Sequence, residues 1–423
     1  MRRIILMVTF VVAGELVFAL PFNLPRFFRP TVLEVFGLTN TQLGDMFAVY
    51  GVVAILAYFP GGALADHFSA RSLITFSLFS TAIGGLYMAT FPGNLELTIL
   101  YGFWGFSTIF LFWGALIRAT RDWGSDEMQG VAFGILDGGR GVVAALGALV
   151  AVNVLAFYMP ENAHLATPGE REAGLRGVIL FYTLLTFLAA ILAWFNIPAT
   201  RKSNDIDISP LKGMGIVLRK PIIWAQACIV VCAYCGYKGL DNYSLYANQV
   251  LGMDEVAAAR LSSYAVWLRP VAAVLAGVIA DRIGATRSIA VTFVILAVSW
   301  GTWSMAGPAG SGLAIIYLNF AVTHFAVFAL RGIYFALLAE HQTPKYLTGA
   351  SVGMISFVGF APDAFFAPIT GRILDANPGL VGFQHYFLFL AFTAFAGIIA
   401  AAWLVWLHRS RKSHWDDIAA PVK

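Results

Sequence analysis

Long apolar runs separated by short polar turns recur twelve times along this chain. They fall at 4–25, 41–62, 72–91, 96–117, 128–158, 175–198, 221–250, 257–280, 287–306, 311–339, 347–374 and 383–407. Each has about the 20 residues that an α-helix needs to cross the hydrocarbon of a bilayer. The runs are too long, and too poor in polar alternation, to be barrel strands. The pattern predicts an all-α membrane protein of twelve transmembrane helices. The longest polar stretch, 199–220, follows the sixth run. It predicts an N-terminal six-helix bundle over 1–198, a linker over 199–220, a second bundle over 221–408 and a polar tail over 409–423.

Composition supports the same class. Only 12% of residues are charged and 59% are apolar, whereas a soluble domain carries about 25% charged residues. The surface of this chain must face lipid, which excludes an ordinary soluble enzyme. Basic residues set the expected orientation. With the N-terminus inside, 17 of the 27 Lys and Arg fall in cytoplasmic turns and tails. Four, Arg26, Arg29, Arg171 and Arg176, fall in outer loops, and six lie within the runs. Both termini are therefore expected in the cytoplasm. This bias accounts for the net charge of +4 and calls for no nucleic-acid partner. Met1-Arg2-Arg3 before an apolar run has the look of a signal peptide. Glu15 in mid-run, and no small-residue cleavage site before Pro25, favour a retained first helix. Cys228, Cys232 and Cys235 share a helical face without acidic or histidine partners at ligand spacing, so they are read as packing residues. No metal site and no cofactor is expected. The absence of a Walker loop, a zinc signature or a nucleophile elbow leaves no support for an ATP-driven pump or a hydrolase.

Two turns half a chain apart match. The first reads Gly62-Ala-Leu-Ala-Asp66-His-Phe-Ser-Ala-Arg71, and the second Gly277-Val-Ile-Ala-Asp281-Arg282-Ile-Gly284-Ala-Thr-Arg287. A second echo pairs Gln129-Gly130-Val-Ala-Phe-Gly134 with Thr348-Gly349-Ala-Ser-Val-Gly353 at nearly the same offset. The chain resembles the major facilitator superfamily of secondary transporters, whose loop between helices two and three carries G-x-x-x-D-[RK]-x-G-x-[RK]-[RK] and recurs between helices eight and nine. The first copy departs from the pattern at His67 and Ser69, and the second keeps both positions. The resemblance implies two pseudo-symmetric six-helix bundles with substrate held at the bilayer midplane. It also implies that Asp66 and Asp281 latch the outward-open state at the cytoplasmic edge. Arg71, Arg282 and Arg287 complete the two turns, and Arg118 or Arg121 supplies a cation. The alternative is a turn that merely caps two helices. The fifth run carries Gly134, Gly138, Gly139, Gly141 and Gly147, but lacks the proline of the drug antiporters' G-x-x-x-G-P-x-x-G-G. Pro270, Pro362 and Pro368 are expected to break the eighth and eleventh helices.

Ionisable residues at mid-membrane depth are costly and usually functional. Glu15, Arg140, Lys238, Arg269 and Asp363 fall near the centres of their runs, with Asp137 and Asp241 a turn from Arg140 and Lys238. Arg331 lies on the tenth helix, nearer the cytoplasm, with His324 on the same helix. In the family's fold helix one neighbours helix five and helix seven neighbours helix eleven, which implies Glu15–Arg140 and Lys238–Asp363 pairs. One reading makes these structural ion pairs. The other has Arg140, Lys238, Arg269, Arg331 and Tyr237 bind an anionic substrate, while Glu15, Asp241 or Asp363 takes the coupling proton. Guanidinium suits carboxylate, phosphate or sulfonate. The function expected is a secondary transporter, a monomer in the bacterial inner membrane, moving a small organic or phosphorylated anion by proton coupling or exchange. The alternative is a proton-driven multidrug or lipophile exporter.

Overall fold

The computed structural model describes residues 2–124, 129–199, 210–306, 312–344 and 347–410. Arg201, Lys202, Asn204, Lys345, Arg411, Lys412 and Lys423 lie outside the described residues, as do the side chains of Asp66, Gln129 and Lys212. The described chain is helical. In order, the elements are α1 (Arg2–Leu16), a π-turn (Ala19–Asn23), α2 (Leu24–Phe27), α3 (Arg29–Val35), α4 (Asn40–His67), α5 (Ala70–Met88) and α6 (Asn94–Phe106). A second π-segment (Ser107–Trp113) leads to α7 (Gly114–Trp123), α8 (Gln129–Tyr158), α9 (Pro168–Asn196) and α10 (Pro210–Val217). Then come α11 (Pro221–Gly239), a 3₁₀ turn (Leu240–Asn242), α12 (Tyr243–Gln249), α13 (Glu255–Val266), α14 (Leu268–Ile283), α15 (Ala285–Ala306), α16 (Leu313–Ile333), α17 (Leu337–Glu340), α18 (Thr348–Gly359), α19 (Pro362–Ala376) and α20 (Leu380–Arg409).

Among the described residues ten helices are long and apolar enough to cross a membrane, and the bent pair of α1 with Ala19–Phe27 makes an eleventh. The run expected at 72–91 is α5, which carries Arg71, Ser72, Ser77, Ser80 and Thr81 and is not among these. Prolines account for two interruptions. Helix eight breaks at Trp267 between α13 and α14, because Pro270 has no N–H to give to the carbonyl of Val266. Helix eleven breaks between α18 and α19, immediately before Pro362. The break expected at Pro368 does not occur: that proline is carried inside α19.

The first segment also departs from expectation. Its helix was to end near Pro25 and leave Arg26 and Arg29 in an outer loop. The chain instead bends by 42° and continues through α2 and α3. Pro25 and Pro30 each stand in the first turn of a new helix, where a missing N–H costs nothing. Phe27, Phe28 and Val32 bury their side chains there, and both arginines are carried inside with them. Arg171 likewise leaves the expected loop, because α9 begins at Pro168 with a capping box between Thr167 and Glu170.

The described chain divides into two compact units. The first holds Met1–Lys202, Lys238–Pro270 and Asp363–Tyr386. In it α5 packs on α9, α4 on α6, and α1 on α8 and α9, while α13 packs on α8. Helices α4 and α19 approach closely. A Cβ at Gly51 would overlap the backbone of Asp363 and Ala364, and one at Gly371 would overlap that of Asn40. Only glycine allows the two backbones so near. The second unit holds Ser203–Tyr237, Val271–Pro362 and Phe387–Lys423. There α15 packs on α16, with Asn319 Nδ2 donating to Ser299 Oγ at 2.7 Å.

Candidate functional site

Two groups of charged side chains stand within the first unit. In one, Glu15 at the end of α1 faces two arginines. Arg140 Nε, from α8, lies 3.4 Å from Glu15 Oε2, and Arg269 Nη1, from α14, lies 3.8 Å from the same oxygen. Neither contact is a hydrogen bond: Glu15 Oε2, Arg140 Nε and Arg269 Nε are all buried without a hydrogen-bond partner. Asn23 Nδ2, in the first π-turn, donates to the other oxygen, Oε1, at 3.0 Å and so fixes the carboxylate. The firm partner of Arg269 is Asp137, one turn before Arg140 on α8, at 2.6 Å. The stem of Arg269 lies against Gly141, where a Cβ would come within 3.0 Å of its Cδ. Arg140 also sits over the rings of Phe18 and Trp113, 5.6 and 5.8 Å from their centroids.

In the second group Lys238 Nζ lies 3.3 Å from Asp241 Oδ2 and 3.4 Å from Asp363 Oδ1. The ammonium rests on the faces of Phe22 and Phe47, at 4.2 and 4.9 Å. Asp241 stands in the 3₁₀ turn that interrupts helix seven, and its Oδ1 accepts from Arg26 Nε at 2.6 Å. Arg29, 2% exposed, donates to Asn40 Oδ1 at 3.2 Å. Asn40 Nδ2 in turn donates to Asp375 Oδ1 at 3.0 Å. At the rim Arg171 Nε meets Glu255 Oε1 at 2.8 Å.

Both pairs implied by helix adjacency are thus formed, Glu15 with Arg140 and Lys238 with Asp363. The structure adds Arg26, which sequence reasoning had set in a loop. A signal was present: from Leu24 to Phe36 no glycine, serine or asparagine marks a turn, and the first such residue is Gly37. Tyr237 precedes Lys238 but belongs to the second unit, where Arg331 lies over its ring at 3.9 Å. Neighbouring residues on a helix do not face the same way.

The turn residues take up different places. Arg118 Nη1 donates to the carbonyl of Ala65 at 2.6 Å, next to Asp66. Arg121, Asp281, Arg282 and Arg287 are exposed. Gly284 adopts φ +92°, which a side chain would strain. Glu340 Oε2, which no motif singled out, accepts from Thr286 N at 2.8 Å and caps the start of α15. Arg71 stacks on Trp194 at 4.5 Å. Cys228, Cys232 and Cys235 are free thiols. Among the described residues no His, Cys, Asp or Glu cluster fits a metal.

The family model of the Major Facilitator Superfamily matches residues 11–367. The chain is 26% identical over 407 residues to the inner membrane protein YihN of Escherichia coli, covering 93% of each. It is 26% identical over 405 residues to the Probable nitrate/nitrite antiporter NarK1 of Thermus thermophilus, covering 89% of this chain and 85% of that one. Its fold matches the inward-facing, unoccupied structure of a bacterial homologue of the human lysosomal transporter Spinster. The TM-score is 0.72 at 15% identity, over 100% of this chain and 99% of that one. The chain belongs to the major facilitator superfamily and is an integral membrane secondary transporter, not an enzyme.

Proposed function

We propose that this transporter moves a small organic or phosphorylated anion by alternating access, coupled to protons or by exchange. The observation that carries the reading is the Glu15 group: one buried carboxylate oxygen faces two guanidinium groups without a hydrogen bond to either. Those guanidiniums keep donor capacity that an incoming carboxylate, phosphate or sulfonate can use. Arg140, Arg269 and Lys238 are the substrate cations, with the stacked Arg331 and Tyr237 as a further contact. Glu15 accepts the coupling proton, with Asp363 and Asp241 as the other carboxylates that exchange it. The name of the NarK1 relative, an anion antiporter, points the same way.

The coupling has a local cause. An anion that takes Arg140 and Arg269 leaves Glu15 buried without its counter-charge, and an uncompensated buried charge costs several kcal/mol. A proton on that carboxylate removes the cost. Asp66 and Asp281, with Arg118, Arg121, Arg282 and Arg287, act as latches on interconversion rather than on binding.

A screen in proteoliposomes tests this reading. Uptake of labelled carboxylates, sugar phosphates and sulfonates is measured with and without a pH gradient. At least one class is expected to accumulate, faster with the gradient. Movement of lipophilic cations alone would sink it in favour of the exporter.

Twelve spans in a six-plus-six arrangement with both termini in the cytoplasm of a bacterial inner membrane complete the proposal. Reporter fusions at Asn204 and at His164 are expected on opposite sides. A cytoplasmic signal from both would overturn this topology.

A further inference from the structure

Arg71 completes the first turn motif and stands apart from the Glu15 and Lys238 groups. It lies in the first turn of α5, with its guanidinium carbon 4.5 Å from the centroid of Trp194 on α9. Its Nε is buried and has no hydrogen-bond partner. Among the described residues it pairs with no carboxylate. A cation so placed wants an anion that the described residues do not supply.

Beside it lies a cavity of about 620 Å³, within the range of ligand sites. Two helices of the same unit line it: the first three turns of α5, and the last turns of α9. Its walls are Phe76, Phe79, Phe187, Ile191, Trp194 and Phe195, all exposed on the face that α5 and α9 leave uncovered. The rings of Phe79 and Phe187, 5.9 Å apart, sit farthest from the turn that joins α4 to α5. Thr75 Oγ1, in the lining, is also buried without a partner. Ser69 caps the start of α5, a helix N-terminus that favours negative charge. The groove is therefore apolar along its length and cationic at its mouth.

We infer that this groove is a binding site for an anionic phospholipid of the surrounding bilayer. The phosphate is held by Arg71 beside Trp194, and an acyl chain lies along the aromatic wall. The occupant follows from complementarity. In a membrane the apolar wall admits any acyl chain, but a neutral headgroup leaves the arginine uncompensated. Basic sites between spanning helices select anionic headgroups for this reason. A tryptophan at the level of the headgroups suits its amphipathic ring. The site stands independently of the transported substrate, since none of its residues belongs to the Glu15 or Lys238 groups.

Quenching of Trp194 fluorescence tests the inference in the full chain reconstituted into vesicles. Phosphatidylcholine vesicles carry an equal mole fraction of brominated phosphatidylglycerol or of brominated phosphatidylcholine. The Trp194 signal is the difference between the wild type and Trp194→Phe. The phosphatidylglycerol arm is expected to report about fivefold enrichment at Trp194, the factor that about 1 kcal/mol per basic residue gives. Arg71→Gln should remove the preference and Arg71→Lys should keep most of it. Equal quenching by the two lipids in the wild type overturns the proposal, whether acyl chains or a lipophilic solute fill the groove. A preference that survives in Arg71→Gln overturns it as well. Should a variant fail to fold, native mass spectrometry of the wild type in detergent decides. Retention of phosphatidylglycerol over phosphatidylcholine supports the site, and equal retention refutes it.

Discussion

Glu15→Gln is expected to abolish accumulation of the anion against its gradient while leaving counterflow of the same anion intact. The reason lies in how Glu15 is held. Its Oε1 is fixed by Asn23 at 3.0 Å, and its Oε2 is left to the electrostatic attraction of Arg140 and Arg269. An anion that takes over the two guanidiniums leaves this carboxylate buried and without its counter-charge, and an uncompensated buried charge is costly. Glutamine mimics the protonated form. It keeps an oxygen for Asn23 and frees the two arginines, but has no proton to exchange. A gradient of one pH unit is worth about 1.4 kcal/mol per proton, or about tenfold accumulation. The wild type should approach that factor for each coupled proton, and the variant should stay at equilibrium. Uptake in proteoliposomes with an imposed pH gradient, beside counterflow with no gradient, separates the two. If the variant still concentrates the anion, Glu15 is not the coupling group. If counterflow is lost as well, its role is to hold the arginines.

How much of this was legible in the sequence depends on what kind of signal each part leaves. The spanning helices are written in long apolar runs, and most appear where those runs lie. The Glu15–Arg140 and Lys238–Asp363 pairs were legible because a charge in mid-run marks its own depth. The family's helix adjacency then matches depth to depth. Arg26 and Arg29 were hidden because Pro25 reads as a stop, and a proline that ends one helix can equally open the next. The firm partner of Arg269 was also hidden. Asp137 sits one turn from Arg140 on α8, and no spacing along the chain names its cation. The arginine that reaches it comes from α14, past the gap left by Gly141. The π-segments at Ala19–Asn23 and Ser107–Trp113 have no compositional signature. They extend the turn by one residue, and the first places Asn23 against Glu15. The groove beside Arg71 was not legible at all. The motif predicts a basic residue at that position, but nothing in it says that the side chain turns toward Trp194.

Lys238→Gln is expected to abolish transport, and the double variant Lys238→Gln/Asp363→Asn is expected to regain stability without regaining transport. Lys238 is 2% exposed and shared between two carboxylates. Asp241 keeps Arg26 at 2.6 Å when the lysine is lost, whereas the ion pair of Asp363 with Lys238 is gone. Breaking a buried ion pair from one side costs up to about 3–5 kcal/mol, and less for a partly exposed carboxylate such as Asp363. The single variant should therefore unfold at lower temperature than the wild type. Neutralising Asp363 as well removes the carboxylate that lost this ion pair, and most of that cost should return. Transport separates the two meanings of the pair. A purely structural bridge predicts that stability and uptake recover together, since the double variant holds no unpaired charge. A substrate cation predicts that uptake stays lost, because glutamine and asparagine offer the anion no counter-charge. Thermal unfolding in detergent and anion uptake in proteoliposomes, measured on the same preparations, decide between them. Wild-type uptake in the double variant would retire Lys238 as a substrate ligand and leave Arg140 and Arg269 to hold the anion alone.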